Sequence, residues 1–190
     1  MSVRSMRVLI YLAVASLAAI AGFALHHLWN GSRAIPGPDL PASAVAAHTA
    51  LLGEIRPEFS LPSLSGEPVS IRRWDGKVIL VNFWATWCPP CRREIPAFMD
   101  LFGNYRERGF QIVGVAIDDP DKVRSFVHNL GVDYPQLVGE QDAAKVSERY
   151  GNRYGALPYS VLIDRAGIIQ FVRPGELRRE LLESELKKLL

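Results

Sequence analysis

The sequence predicts an α/β domain held behind an apolar leader, and three observations predict it. Val78–Ala85 (VILVNFWA) and Gln111–Ile117 (QIVGVAI) are nearly unbroken apolar runs, as strands buried on both faces require. A helix-length stretch from about Pro89 to Arg108 lies between them, so the unit is strand–helix–strand with a right-handed parallel crossover. Ahead of it all, Val8–Leu25 contains no charged residue.

That leader reads as an address. A helix rising 1.5 Å per residue needs about 20 mostly apolar residues to cross the hydrocarbon core, and residues 8–29 supply them. Trp29 stands where an interfacial anchor belongs, and Arg4 and Arg7 keep residues 1–7 in the cytoplasm, so the rest is exported. A cleavable signal peptide is the alternative, with Ala19-Ile20-Ala21 as its small-x-small site, although that site lies inside the apolar run. Residues 30–52 follow as a linker, with Pro36, Pro38, Pro41, Gly31 and Gly37 near its start. Residues 53–190 are the folded body.

Within the body, Pro96 interrupts the first helix and predicts a kink; Gly109 ends it. Asp121–Leu130 places Val123, Phe126, Val127 and Leu130 on one helical face. Tyr134–Val138 reads as a short strand and Gln141–Tyr150 as a helix. Tyr159–Asp164 and Ile168–Val172 flank the turn Arg165-Ala166-Gly167 as a hairpin. Glu176–Leu190 closes the chain as an amphipathic helix, with Leu177, Leu181, Leu182, Leu186 and Leu189 at helical spacing.

Composition excludes several functions. The chain has 190 residues with a net charge of +2. Without Arg4, Arg7 and Arg33 the remaining 19 basic residues face 20 acidic ones, so no basic face marks a nucleic-acid binder. Two cysteines make neither a disulfide-dense scaffold nor a four-cysteine zinc site.

Both cysteines stand three apart in Trp87-Cys88-Pro89-Pro90-Cys91, where a buried strand meets a helix. Haem attachment needs histidine at position 92, which is Arg92. Zinc needs two more ligands, and His128 alone is a candidate in the body. A peroxidatic cysteine needs threonine three positions earlier, whereas Thr86 is two positions earlier. A structural bridge across so short a loop removes little chain entropy. Redox chemistry is the remaining use. Cys88 at the helix N-terminus faces free N–H groups and the positive dipole end, which favour thiolate over thiol. Cys91, one turn further in, is the more buried resolving thiol. Pro89 and Pro90 suit the first turn, where a missing N–H costs little.

Three segments carry a resemblance: Gly53–Gly66 (GEIRPEFSLPSLSG), Gly76–Pro96 (GKVILVNFWATWCPPCRREIP) and Gly155–Gly167 (GALPYSVLIDRAG). Residues 53–172 resemble the membrane-anchored, exported thioredoxin-like reductases of the TlpA/ResA kind, which include the cytochrome c maturation type. The resemblance implies a thioredoxin-like fold with an N-terminal hairpin extension and an inserted strand–helix element around residues 118–150. It also implies that Pro158 is a cis proline facing the Cys88–Cys91 pair. Thioredoxin has a buried aspartate six residues before its first cysteine; here that residue is Asn82, and a carboxylate appears at Glu94, as in the TlpA/ResA kind. Glu94 lies three residues after Cys91, on the same helical face, unless it is simply solvated beside Arg92 and Arg93. The cytochrome-maturation subset often has Ala-Pro-Glu after its glycine, and Gly155-Ala156-Leu157-Pro158 departs from it, which counts against apocytochrome as the substrate.

The expected protein is a thiol–disulfide oxidoreductase of a bacterial inner membrane, single-pass, with its catalytic domain in the periplasm or outside the cell. Its dithiol reduces disulfides of exported client proteins, needs no cofactor and is reset by a membrane electron-donor thiol carrier. A disulfide donor for protein folding and a copper-handling binding module are the alternatives.

Overall fold

The computed structural model describes residues 50–190; the leader, its cleavage site and most of the linker lie outside the described residues. Among the described residues no helix is long and apolar enough to cross a membrane. The body is a five-stranded mixed sheet with helices on both faces. In chain order the elements are β1 (Ser60–Pro62), β2 (Pro68–Ser70), β3 (Val78–Trp84), α1 (Pro89–Tyr105), β4 (Phe110–Ala116) and α2 (Pro120–Leu130). Then come β5 (Gln136–Val138), α3 (Glu140–Arg149), β6 (Tyr159–Ile163), β7 (Ile169–Pro174) and α4 (Arg179–Lys187).

The small antiparallel hairpin β1–β2 precedes the main sheet, whose strand order is β5-β4-β3-β6-β7. β3 and β4 run parallel, as the crossover through α1 demands, while β6 is antiparallel to β3 and β7 to β6. The inserted strand β5 pairs parallel to β4 and, with α3 behind it, fills the sheet edge. Every residue of β3 and β4 is buried, so their unbroken apolar runs reflect two covered faces.

Pleat alternation assigns the faces. Ile79, Val81 and Phe83 pack with Phe59, Trp74, Val146 and Tyr150 on the hairpin and α3 side. Val78 and Leu80 pack with Phe98, Leu101, Leu182 and Leu186 on the α1 and α4 side. Asn82 shares the even register of Val78 and Leu80, so a strand of apolar residues delivers one amide beneath α1.

α1 runs helical across Pro96 and finishes in a 3-10 turn, Arg106–Arg108, before Gly109 takes the left-handed conformation at φ 91°. The last helix starts later than its leucine spacing predicts, at Arg179 and not Glu176. Leu177 is fully buried, yet its N–H donates to Glu94 of α1 and not to its own helix. Residues 175–177 therefore form a strap between β7 and α4 that belongs to neither, entered through a bend at Gly175 with φ 79°.

Candidate active site

β3 ends at Trp84, and the next four residues turn the chain into α1. This turn is pinned from the neighbouring strand end. Asp118, just past β4, accepts from the Thr86 N–H at 2.9 Å and from the Thr86 hydroxyl, and its other oxygen accepts from the Asp119 N–H at 2.8 Å. Burial alone would raise the Asp118 carboxyl, but these hydrogen bonds outweigh it and hold it below the usual carboxylate range.

Cys88 is the N-cap of α1, with extended backbone, and its sulfur accepts from the Cys91 N–H at 3.3 Å. A sulfur so placed receives the N-terminal N–H groups and positive dipole end that stabilise a thiolate. Cys88 and Cys91 are joined as a disulfide with their Cα atoms 5.3 Å apart. Both are buried, Cys91 completely, among Trp84, Ile95, Val123 and Val127. Trp87 stands 65% exposed beside them, whereas Trp84 is core and donates its indole N–H to Gln136 at 2.9 Å.

Glu94 is only 3% exposed, so it is no solvated surface residue. Its Oε1 accepts from Asn82 Nδ2 and its Oε2 from the Leu177 N–H, both at 2.8 Å. Desolvation dominates these two hydrogen bonds and pushes the carboxyl up to about 8. Asn82 Nδ2 donates also to Ser160 Oγ at 3.0 Å, because Asn82 and Ser160 are cross-strand partners of β3 and β6. The Asn82 Oδ1 is buried without a partner.

The Leu157–Pro158 bond is cis, and Pro158 is buried. Leu157, next to it, packs against the cluster that contains both cysteines. The Pro158 carbonyl accepts from the Gly175 N–H at 2.8 Å, which ties the proline loop to the strap. Cys88, Cys91 and Glu94 are thus gathered on the first two turns of α1, and the strap binds both Glu94 and the Pro158 loop.

Sequence reasoning missed Asp118, Ser160 and the strap. Asp118 carried a weak signal as an acid directly after a buried strand. Ser160 carried none, since its relation to Asn82 is a register 78 residues away. His128, the one candidate metal ligand of the body, is exposed in the last turn of α2, and no metal-binding cluster occurs among the described residues.

Residues 52–172 match the AhpC/TSA family. The chain is 34% identical to the thiol-disulfide oxidoreductase ResA of Bacillus anthracis over 139 residues, 73% of this chain and 78% of that protein. With ResA of Halalkalibacterium halodurans it shares 36% over 132 residues, 69% of this chain and 73% of the relative. A thiol:disulfide interchange protein of the thioredoxin family from Chlorobium tepidum superposes with a TM-score of 0.64 at 30% identity, covering 71% of this chain and 94% of that one. A buried cysteine pair whose first member caps a helix, on a sheet shared with these proteins, leads to one conclusion: the chain belongs to the AhpC/TSA family and is a thiol–disulfide oxidoreductase of thioredoxin-like fold.

Proposed function

We propose that the protein works as a reductant of disulfides in exported client proteins. The observation that supports disulfide exchange through this cysteine pair is the buried Glu94 carboxyl one turn beyond Cys91, poised near the pH at which thiols exchange protons.

In the reduced protein the Cys88 thiolate attacks one sulfur of a client disulfide; the client's other sulfur leaves as a thiolate and takes a proton from solvent. Cys91 then loses its proton to the ionised fraction of Glu94 and attacks the Cys88 sulfur. The Cys88–Cys91 bond forms, the mixed disulfide breaks, and the second client thiolate departs to be protonated. Two electrons pass from the dithiol to the client. A membrane thiol carrier returns them by the same exchange in reverse. Pro158 serves in this scheme as the wall of the client groove beside Cys88. Residues 8–29 hold the domain to the outer face of the inner membrane, and the catalysis requires no cofactor.

Trapping tests this reading. Cys91→Ala should leave a mixed disulfide at Cys88 from which exported clients are recovered, and Cys88→Ala should leave none. Capture through Cys91 in place of Cys88 would reverse the two roles. The redox potential decides between reductant and donor: a value well toward about −270 mV supports reduction, and one near about −120 mV assigns the protein to disulfide donation.

A further inference from the structure

The strap over Glu94 is fastened from outside. Glu176 lies between Gly175, whose N–H holds the Pro158 carbonyl, and Leu177, whose N–H holds Glu94. Its own carboxylate accepts from Arg93 of α1, at 3.0 Å from Nε and again from Nη2. Arg93 directly precedes Glu94 in the helix, so a two-pronged ion pair closes the strap onto the turn that carries the buried carboxyl. Leu177 is completely buried beneath it, while the Arg93 and Glu176 side chains remain 59% and 36% exposed.

We propose that Arg93 and Glu176 are positioning residues for disulfide exchange: their clasp seats the strap on Glu94 and fixes the balance of charge that this carboxyl meets from the solvent side. The inference rests on the reading of Glu94 as proton acceptor for Cys91. An exposed ion pair of this kind adds little stability, typically about 0–1 kcal/mol, so holding the fold together is a poor account of it. Its place outside a buried titrating group gives it leverage of another sort.

The groups around Glu94 are few. From β3 and β6 come Asn82 and Ser160, neither of which titrates in the relevant range. Buried Tyr134, ahead of β5, interacts electrostatically with Glu94 and stays protonated, because burial raises its phenol. On α1 stand Cys91 and Arg93, and the strap brings Glu176. The Glu176 charge disfavours ionisation of Glu94, and the Arg93 guanidinium paired with Glu176 offsets that charge. Removing either partner therefore unbalances the pair in opposite senses. Glu176→Gln leaves a bare cation that favours the Glu94 carboxylate; Arg93→Gln leaves a bare anion that favours the neutral acid.

The experiment follows the Glu94 carboxyl in the oxidised full-length protein by infrared spectroscopy with carbon-13 glutamate, its band identified by loss in Glu94→Gln. Glu176→Gln should lower the titration midpoint by about half a pH unit and Arg93→Gln should raise it as much, roughly a threefold change in the ionised-to-neutral ratio in each direction. The double variant should return close to wild type, and about 1 M salt should bring the single variants together. A loosened fold moves both single variants the same way, so a common shift, or none, overturns the proposal. Reduction of a small disulfide across the same pH range separates this inference from the one beneath it. If the band follows the clasp while the three turnover profiles coincide with wild type, the clasp's hold on the Glu94 charge stands, but its part in disulfide exchange falls together with Glu94 as the acceptor for Cys91.

Discussion

A buried carboxyl that keeps its proton to about pH 8 burdens the folded state in a pH-dependent way. Below the ordinary value of 4.5, Glu94 is neutral in both the folded and unfolded chain and costs nothing. Between about 4.5 and 8 the unfolded chain gives up the proton and the folded one retains it, so the stability present at low pH is progressively lost. Glu94→Gln removes this dependence. Urea titrations should show the variant gaining on wild type from pH 5 to pH 8, with a difference on the order of a few kcal/mol at the upper end. A constant difference across that range would mean that Glu94 titrates normally. The glutamine fits because Asn82 can turn its amide: the Oδ1 that has no partner beside a carboxylate becomes the acceptor for a glutamine N–H. The same rotation suits the protonated acid, whose O–H also needs an acceptor. Asn82 can thus serve both protonation states where a titrating aspartate would add a second charge.

Among elements, the turn between β3 and α1 decides how well Cys88 caps its helix, and Asp118 holds that turn from the end of β4. Asp118→Ala strips the partners from the Thr86 and Asp119 N–H groups and should cost about 1–3 kcal/mol in a urea titration. It should also slow alkylation of reduced Cys88 at mildly acidic pH, since a looser cap stabilises the thiolate less. Thr86→Val retains the backbone hydrogen bond and should lose less on both counts; equal losses would place the effect in the hydroxyl alone. The elements read from the sequence divide along the same physical line. β3 and β4 were legible because burial on both faces leaves an unbroken apolar signature, and Cys88 because a cysteine pair at a strand–helix junction has few other uses. The start of α4 was not, because Leu177 has helical spacing but spends its N–H on another element. Glu94 was legible as sharing a face with Cys91, yet its burial depends on Leu177, and its partnership with Asn82 and Ser160 is a matter of register that local pattern does not encode. The cis bond at Pro158 leaves no composition signature and was expected from family resemblance alone.

For the whole molecule, the apolar leader read as an anchor predicts that the full chain stays with membranes through a high-salt wash, because the hold of hydrocarbon on an apolar segment is insensitive to ionic strength. A soluble product beginning near residue 22 would identify the leader as a cleaved signal instead. The folded body, for its part, joins distant stretches of chain at one point. Glu94 and the N–H that Leu177 gives it are 83 residues apart, and the same strap reaches the Pro158 loop. Distance along a chain is also delay in making it. At about 5–20 residues per second, Leu177 leaves the ribosome roughly 4–17 s after Glu94. During that interval Cys88 and Cys91 already exist, but the carboxyl beside them lacks its second donor and its cover. A newborn chain is a plain dithiol, open to whatever oxidant it meets, until its tail arrives to cover the carboxyl.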